Sequence, residues 1–214
     1  WPQIETVDLS LIDGIPTVAQ VLAALRPNFI IGRAWTAREF LKNNPAPWAS
    51  YLEIPDVMIA SASPELFLSR KGSTIMTSPI KGTQPTHSQQ FGAKDQAENV
   101  MIVDLMRNDL GQICKSGSVE VPRLLSSEEH PGLQHLVSDV QGELLDNISW
   151  REIFTALSPP GSVSGAPKSS ATQVISENEI ARGPYCGALG WVEGNTAVLS
   201  VAIRTFWKDA NINF

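Results

Sequence analysis

Apolar residues along this chain recur with two different periods. Between residues 93 and 110, Ala97, Val100, Met101 and Leu105 return every three or four positions together with Asp104, the spacing of one face of an α-helix, and Gly111 stands where that helix would stop. Residues 133–140 alternate instead, so Leu133, His135 and Val137 share one face of a strand and the histidine points with apolar neighbours. Residues 119–121 alternate in the same way. Strands are also predicted over 57–60, 65–69 and 74–77, with Lys71-Gly72 as the turn between the last two, which puts Glu65 and Lys81 on one β-rich substructure.

Helix starts are legible from their caps. Thr36 with Glu39, and Ser149 with Glu152, each form a capping box, predicting helices over 36–44 and from 149 onward. Pro45 and Pro47 stop the first, and Pro159-Pro160-Gly161 ends the second. Residues 18–25 are helix-like. Pro167 suits the first turn of a further helix in which Ala171, Val174 and Ile175 form a buried stripe. Arg182-Gly183-Pro184 then turns the chain into a strand over 185–192, and Glu193-Gly194-Asn195 is a hairpin turn into a strand over 196–207. Strands and helices mix without a repeat and without regular βαβα alternation, so an antiparallel-rich α+β domain is expected.

Composition narrows the picture. A chain of 214 residues, 43% of them hydrophobic, buries a substantial core and is read as one domain, 1–214. The net charge of −6 argues against nucleic acid or an anionic membrane as partner, because both attractions need clustered Lys and Arg. Apolar runs such as 197–203 fall far short of the ~20 residues of a membrane-spanning helix, and no basic-then-apolar signal opens the chain, so a soluble, cytoplasmic protein is expected. The two cysteines, Cys114 and Cys186, are distant in sequence and have no histidine cluster nearby, which favours reduced structural thiols over a zinc site.

Several residues have two readings each. Asp95 and Glu98 stand three apart, so a helix projects both carboxylates from one face, suited to a divalent cation with oxygen ligands such as magnesium; acidic residues near a helix N-terminus equally stabilise the helix dipole. Lys81, between Ile80 and Gly82-Thr83, is a candidate nucleophile if partly desolvated and otherwise a surface charge. Glu65, between Pro64 and Leu66-Phe67, is a proton donor if burial raises its pKa and a strand-edge glutamate if not. Arg204 interrupts the apolar run 198–206 and needs a carboxylate, from protein or substrate. Gly165, Gly187 and Gly190 either open backbone amides to a ligand or mark turns.

Taken in order, these segments resemble the chorismate-utilising enzymes, the family of anthranilate, aminodeoxychorismate, isochorismate and salicylate synthases. The resemblance runs from about residue 44 to 206. It is carried by Ser63-Pro64-Glu65-Leu66-Phe67, Pro79-Ile80-Lys81-Gly82-Thr83, Ala97-Glu98-Asn99, the run Val103-Asp104-Leu105-Met106-Arg107-Asn108-Asp109-Leu110 and Gln134-His135-Leu136-Val137-Ser138. Ser164-Gly165-Ala166-Pro167-Lys168, Arg182-Gly183-Pro184-Tyr185-Cys186-Gly187 and Ala202-Ile203-Arg204-Thr205 complete the series.

The resemblance implies a two-layer antiparallel β core flanked by helices, with magnesium and chorismate in a central cleft. Anthranilate synthases usually carry alanine ahead of the Gly-Thr pair and aminodeoxychorismate synthases often carry lysine; here the residue is Lys81. On that likeness Lys81 attacks the chorismate ring, Glu65 is the general acid for the leaving C4 hydroxyl, and His135 is the active-site histidine. Glu98 holds magnesium, with Asp95 direct or through water. Gly82, Thr83, Tyr185, Gly187, Ala188 and Arg204 bind substrate, and ammonia comes from a glutamine amidotransferase subunit or fused domain. The rival readings are anthranilate synthase component I, a salicylate or isochorismate synthase, and a non-catalytic chorismate-binding relative.

Members of the family continue past the Ile203-Arg204-Thr205 strand into a glycine-rich loop and a helix with another magnesium carboxylate. The link from Thr83 to Ala93 is short, and no strand is legible ahead of Thr36. The chain is therefore expected to be an ordered subset of a longer protein, with segments missing across 29–35 and 84–92 and beyond Phe214.

Overall fold

The computed structural model describes residues 46–54, 57–86, 90–130 and 132–208. The helices expected over 18–25 and 36–44 and the break expected over 29–35 lie outside these residues, as does part of 84–92. The chain divides into two compact units, Trp1–Pro64 with Ala202–Phe214, and Glu65–Val201.

In the first unit, β1 (Trp48–Ile54), β2 (Val57–Ser63) and β10 (Thr205–Lys208) form a three-stranded antiparallel sheet in the order β1-β2-β10. Phe206 sits opposite Ala60 and Trp207 opposite Ile59 in that sheet. The Thr205 hydroxyl donates to the Ser61 hydroxyl at 2.7 Å, and the Ala62 amide donates to the Arg204 carbonyl at 3.0 Å.

The larger unit carries β3 (Leu66–Lys71), β4 (Thr74–Ser78), β5 (Ile80–Pro85), β6 (Glu120–His130), β7 (Leu133–Glu143), β8 (Ala188–Glu193) and β9 (Thr196–Val201) in one antiparallel sheet. Its order is β5-β7-β4-β3-β9-β8, with β6 paired along β7. Strand β7 takes β5 against its first half, from Leu133 to Val137, and β4 against its second, from Val140 to Glu143. With β6 paired along it as well, both edges of β7 are hydrogen-bonded, and Leu136, Val137 and Val140 are all buried. The α+β class and the antiparallel pairing expected from the sequence are what these residues show.

Among the described residues, four helices flank the sheet: α1 (Ala93–Gly111), α2 (Trp150–Leu157), the single turn α3 (Gly161–Ser164) and α4 (Lys168–Asn178). The Ser149 cap of α2 forms as expected, its hydroxyl accepting from the Glu152 amide at 3.3 Å while Glu152 accepts from the Ser149 amide at 2.8 Å. Ile153 and Leu157 then point into a core with Leu66, Leu68, Ile75, Ile102, Leu110 and Leu144. Burying a side chain of this kind stabilises by roughly 1.5–3 kcal/mol. Phe67 and Phe154 stack at 6.2 Å.

Three expectations change. Helix α1 buries Ile102, Val103, Met106 and Leu110, leaving Val100 and Met101 on the surface. Residues 100–103 are all apolar and cover every side of the helix, so periodicity alone cannot choose the inward face. In α4 no residue is buried and Val174 is 58% exposed, so the stripe expected at Ala171, Val174 and Ile175 is not a core face. The strand expected over 196–207 breaks into β9 and β10 because Arg204 adopts the left-handed region, at φ 51, where the chain leaves one sheet for the other.

Candidate active site

The backbone of β5 departs from regular pairing at Lys81. Ile80 sits opposite Val137 and Thr83 opposite His135, so Lys81 and Gly82 together face the single residue Leu136. This is a β-bulge, and Gly82 accommodates it at φ +93. A Cβ at Gly82 would lie 3.1 Å from both Asp95 Cβ and Phe91 Cδ1 and 3.3 Å from Leu136 Cβ. Only glycine lets the first turn of α1, with Asp95, approach the residue next to Lys81 this closely.

The bulge aims the half-buried Lys81 side chain at α3, where its ammonium donates to the Ser162 carbonyl at 3.1 Å. Glu65 belongs to the same cluster. It stands just ahead of β3, 5% exposed, and its carbonyl accepts from the Val201 amide at 3.0 Å. Burial pushes the Glu65 carboxyl up from 4.5 to about 7; the Ser162 hydroxyl, the Lys81 charge and the Ile80 amide pull the other way without prevailing. A carboxyl that titrates near neutrality is suited to donating a proton.

His135 is buried in β7. Its Nδ1 lies 2.8 Å from the Thr83 hydroxyl, and its ring faces that of His130 with centroids 5.0 Å apart. One strand position on, the backbone of β7 is tied to α1 by Asn99. Its amide donates to the Leu136 carbonyl at 3.0 Å, and its oxygen accepts from the buried Ser138 hydroxyl at 2.5 Å. That anchor sets the position of the helix turn that carries Asp95 and Glu98.

Glu98 and Asp95 are both partly exposed, and Glu98 makes a long 3.8 Å ion pair with Lys94 on its own helix turn. Two carboxylates one turn apart are a hard-oxygen donor set that suits magnesium, which keeps several of its waters. No group of three or more His, Cys, Asp or Glu that could hold a metal occurs among the described residues.

The remaining expected residues lie elsewhere. Tyr185 and Gly187 are in a turn ahead of β8 rather than in a strand, because Cys186 takes φ 64 and the Gly187 amide donates to the Pro184 carbonyl at 2.9 Å. Ala188 opens β8 opposite Val201, the residue whose amide holds Glu65, so this segment is one strand away from the carboxyl. Arg204 lies in the other unit.

Two contributors were not singled out from the sequence. Ser162 carries no signal beyond the Pro159-Pro160-Gly161 that precedes it. Lys168 pairs with the buried Asp109 of α1 and donates to the Ala156 and Leu157 carbonyls at 3.2 and 3.4 Å. A basic residue after Ala166-Pro167 was the available hint; Asp109, which follows Arg107 and Asn108, carries none of its own.

The chain belongs to the chorismate binding enzymes, whose pattern matches residues 34–214. It is 40% identical to aminodeoxychorismate synthase component 1 of Bacillus subtilis over 80% of this chain and 39% of that protein. It is 37% identical to an anthranilate synthase component 1 of Haloarcula marismortui over 97% of this chain and 45% of that protein. The crystal structure of anthranilate synthase component I from Streptococcus pneumoniae superposes with a TM-score of 0.74 at 34% identity, covering 82% of this chain and 42% of that one. The chain thus spans about two fifths of the length of these relatives. Among the described residues, no helix is long and apolar enough to cross a membrane.

Proposed function

We propose that this protein is an aminodeoxychorismate synthase component 1, converting chorismate and ammonia to 4-amino-4-deoxychorismate. The observation that carries this reading is Lys81, directed by the Lys81-Gly82 bulge into the cluster that holds Glu65. A lysine there is a nucleophile with a proton donor at hand.

In its neutral form the Lys81 amine forms a C–N bond to the chorismate ring, the C4–O bond breaks, and the hydroxyl departs as water with the proton of Glu65. Ammonia then forms the product C–N bond as the lysine leaves. His135, fixed by Thr83, lines the same strand pair. Magnesium, held by Glu98 with Asp95, supplies charge neutralisation for the ring carboxylate. The ammonia is expected from a glutamine amidotransferase subunit or fused domain.

The Haloarcula and Streptococcus relatives favour a second reading, anthranilate synthase component 1. Product analysis separates them: the protein is incubated with chorismate, magnesium and an ammonium salt, and the products are resolved by chromatography. 4-Amino-4-deoxychorismate supports the first reading, whereas anthranilate, isochorismate or salicylate would overturn it.

A further inference from the structure

The segment 158–167 is closed at its neck by one side chain. Lys168, just after it, reaches back to the carbonyls of Ala156 and Leu157, just before it, at 3.2 and 3.4 Å. The same ammonium pairs with Asp109, which is 3% exposed on α1. One cation thus gathers the last turn of α2, the first residue of α4 and the buried side of α1. Midway along the closed segment stands Ser162, whose carbonyl takes the Lys81 ammonium at 3.1 Å. Gly161 is packed so closely on α1 that a Cβ there would lie 2.3 Å from Leu105 Cδ2, so the segment rests directly on the helix that carries Asp109.

We propose that Lys168 and Asp109 are positioning residues, which act through the segment they close to hold the Ser162 carbonyl against Lys81, beside Glu65. Ion pairing for stability alone would leave Lys81 indifferent to their loss. A positioning role would not, because the carbonyl that holds the lysine lies in the segment that this neck closes. Lys81 and the Ile80 amide of β5 and Ser162 of α3 all bear on Glu65, and of these Ser162 lies in the segment that the neck closes.

The inference rests on the reading of Lys81 and Glu65 as the reacting pair, and its test separates the two. Lys168→Met with Asp109→Leu removes both charges together, so neither is left buried and alone. Brief acylation of the folded protein, with peptide mass spectrometry, gives the labelling of Lys81 relative to the exposed Lys71. Positioning predicts that this ratio rises by about threefold or more as the neck opens. With chorismate, kcat falls on the order of tenfold to a hundredfold. An unchanged ratio in a variant that melts cooperatively overturns the proposal. Should the double variant not fold, the same ratio in Asp109→Asn decides. A parent protein that turns over no chorismate would sink the reading of function and still leave the labelling ratio to decide the positioning role.

Discussion

Lys81 donates to the carbonyl of Ser162 at 3.1 Å, across 81 positions of sequence. That single contact joins a strand bulge to a one-turn helix, and it places the amine beside Glu65, a carboxyl that burial holds near neutrality. The bulge aims the lysine, and the segment with Ser162 receives it.

If the amine is the nucleophile, Lys81→Ala should abolish or sharply reduce formation of 4-amino-4-deoxychorismate from chorismate and ammonia while leaving chorismate binding largely intact. Steady-state product assays beside equilibrium binding provide the check. Turnover at the parent rate would refute the covalent route.

Glu65 is a proton donor only while protonated, and its carboxyl titrates at about 7. The limb of the rate profile that belongs to Glu65 is therefore expected to fall as pH rises through about 7. Glu65→Gln should lower kcat on the order of a hundredfold or more and remove that limb. The folded-state pKa lies above the ordinary 4.5, so the neutral carboxyl favours the folded chain below about 4.5, and this contribution is lost as pH rises through about 7. From 4.5 to about 7, at roughly 1.4 kcal/mol per pH unit, the parent should lose roughly 3 kcal/mol relative to Glu65→Gln. Urea midpoints of both proteins across this range test it.

Gly82→Ala meets two obstacles, a left-handed φ of +93 and a Cβ 3.1 Å from Asp95 and Phe91. Destabilisation of about 1–3 kcal/mol is expected, read as a lower urea midpoint at unchanged slope. Because the clash pushes the first turn of α1 away from the bulge, the same variant should need more magnesium for half-maximal turnover.

Glu98→Gln keeps the shape of the side chain and removes its charge. The magnesium concentration giving half-maximal turnover should rise on the order of tenfold or more, with the melting temperature little changed because this carboxylate is on the surface and makes only a weak ion pair. An unaltered magnesium dependence would remove Glu98 from the metal site.

Much of this protein was determined by local sequence. The Ser149 capping box, the Lys71-Gly72 and Gly194-Asn195 turns and the alternation around His135 are each settled by a few neighbouring residues, because caps, turns and pleats are short-range physics. The ordered motifs likewise marked Glu65, Lys81, Gly82, Thr83, Asp95, Glu98 and His135, which β5, β7, β3 and α1 then bring into one region. Tertiary structure decided the rest. Which side of α1 faces inward was open because residues 100–103 are apolar all round, and contact with the sheet made the choice. The division of 196–207 between two sheets turned on one backbone conformation, at Arg204. The Ser162 carbonyl under Lys81 and the Lys168–Asp109 neck that closes its segment join residues far apart in the chain, and no local pattern encodes such a meeting. Lys81 is legible as a residue in the sequence; its direction, set by a bulge opposite Leu136 and a carbonyl from α3, exists only in the folded chain.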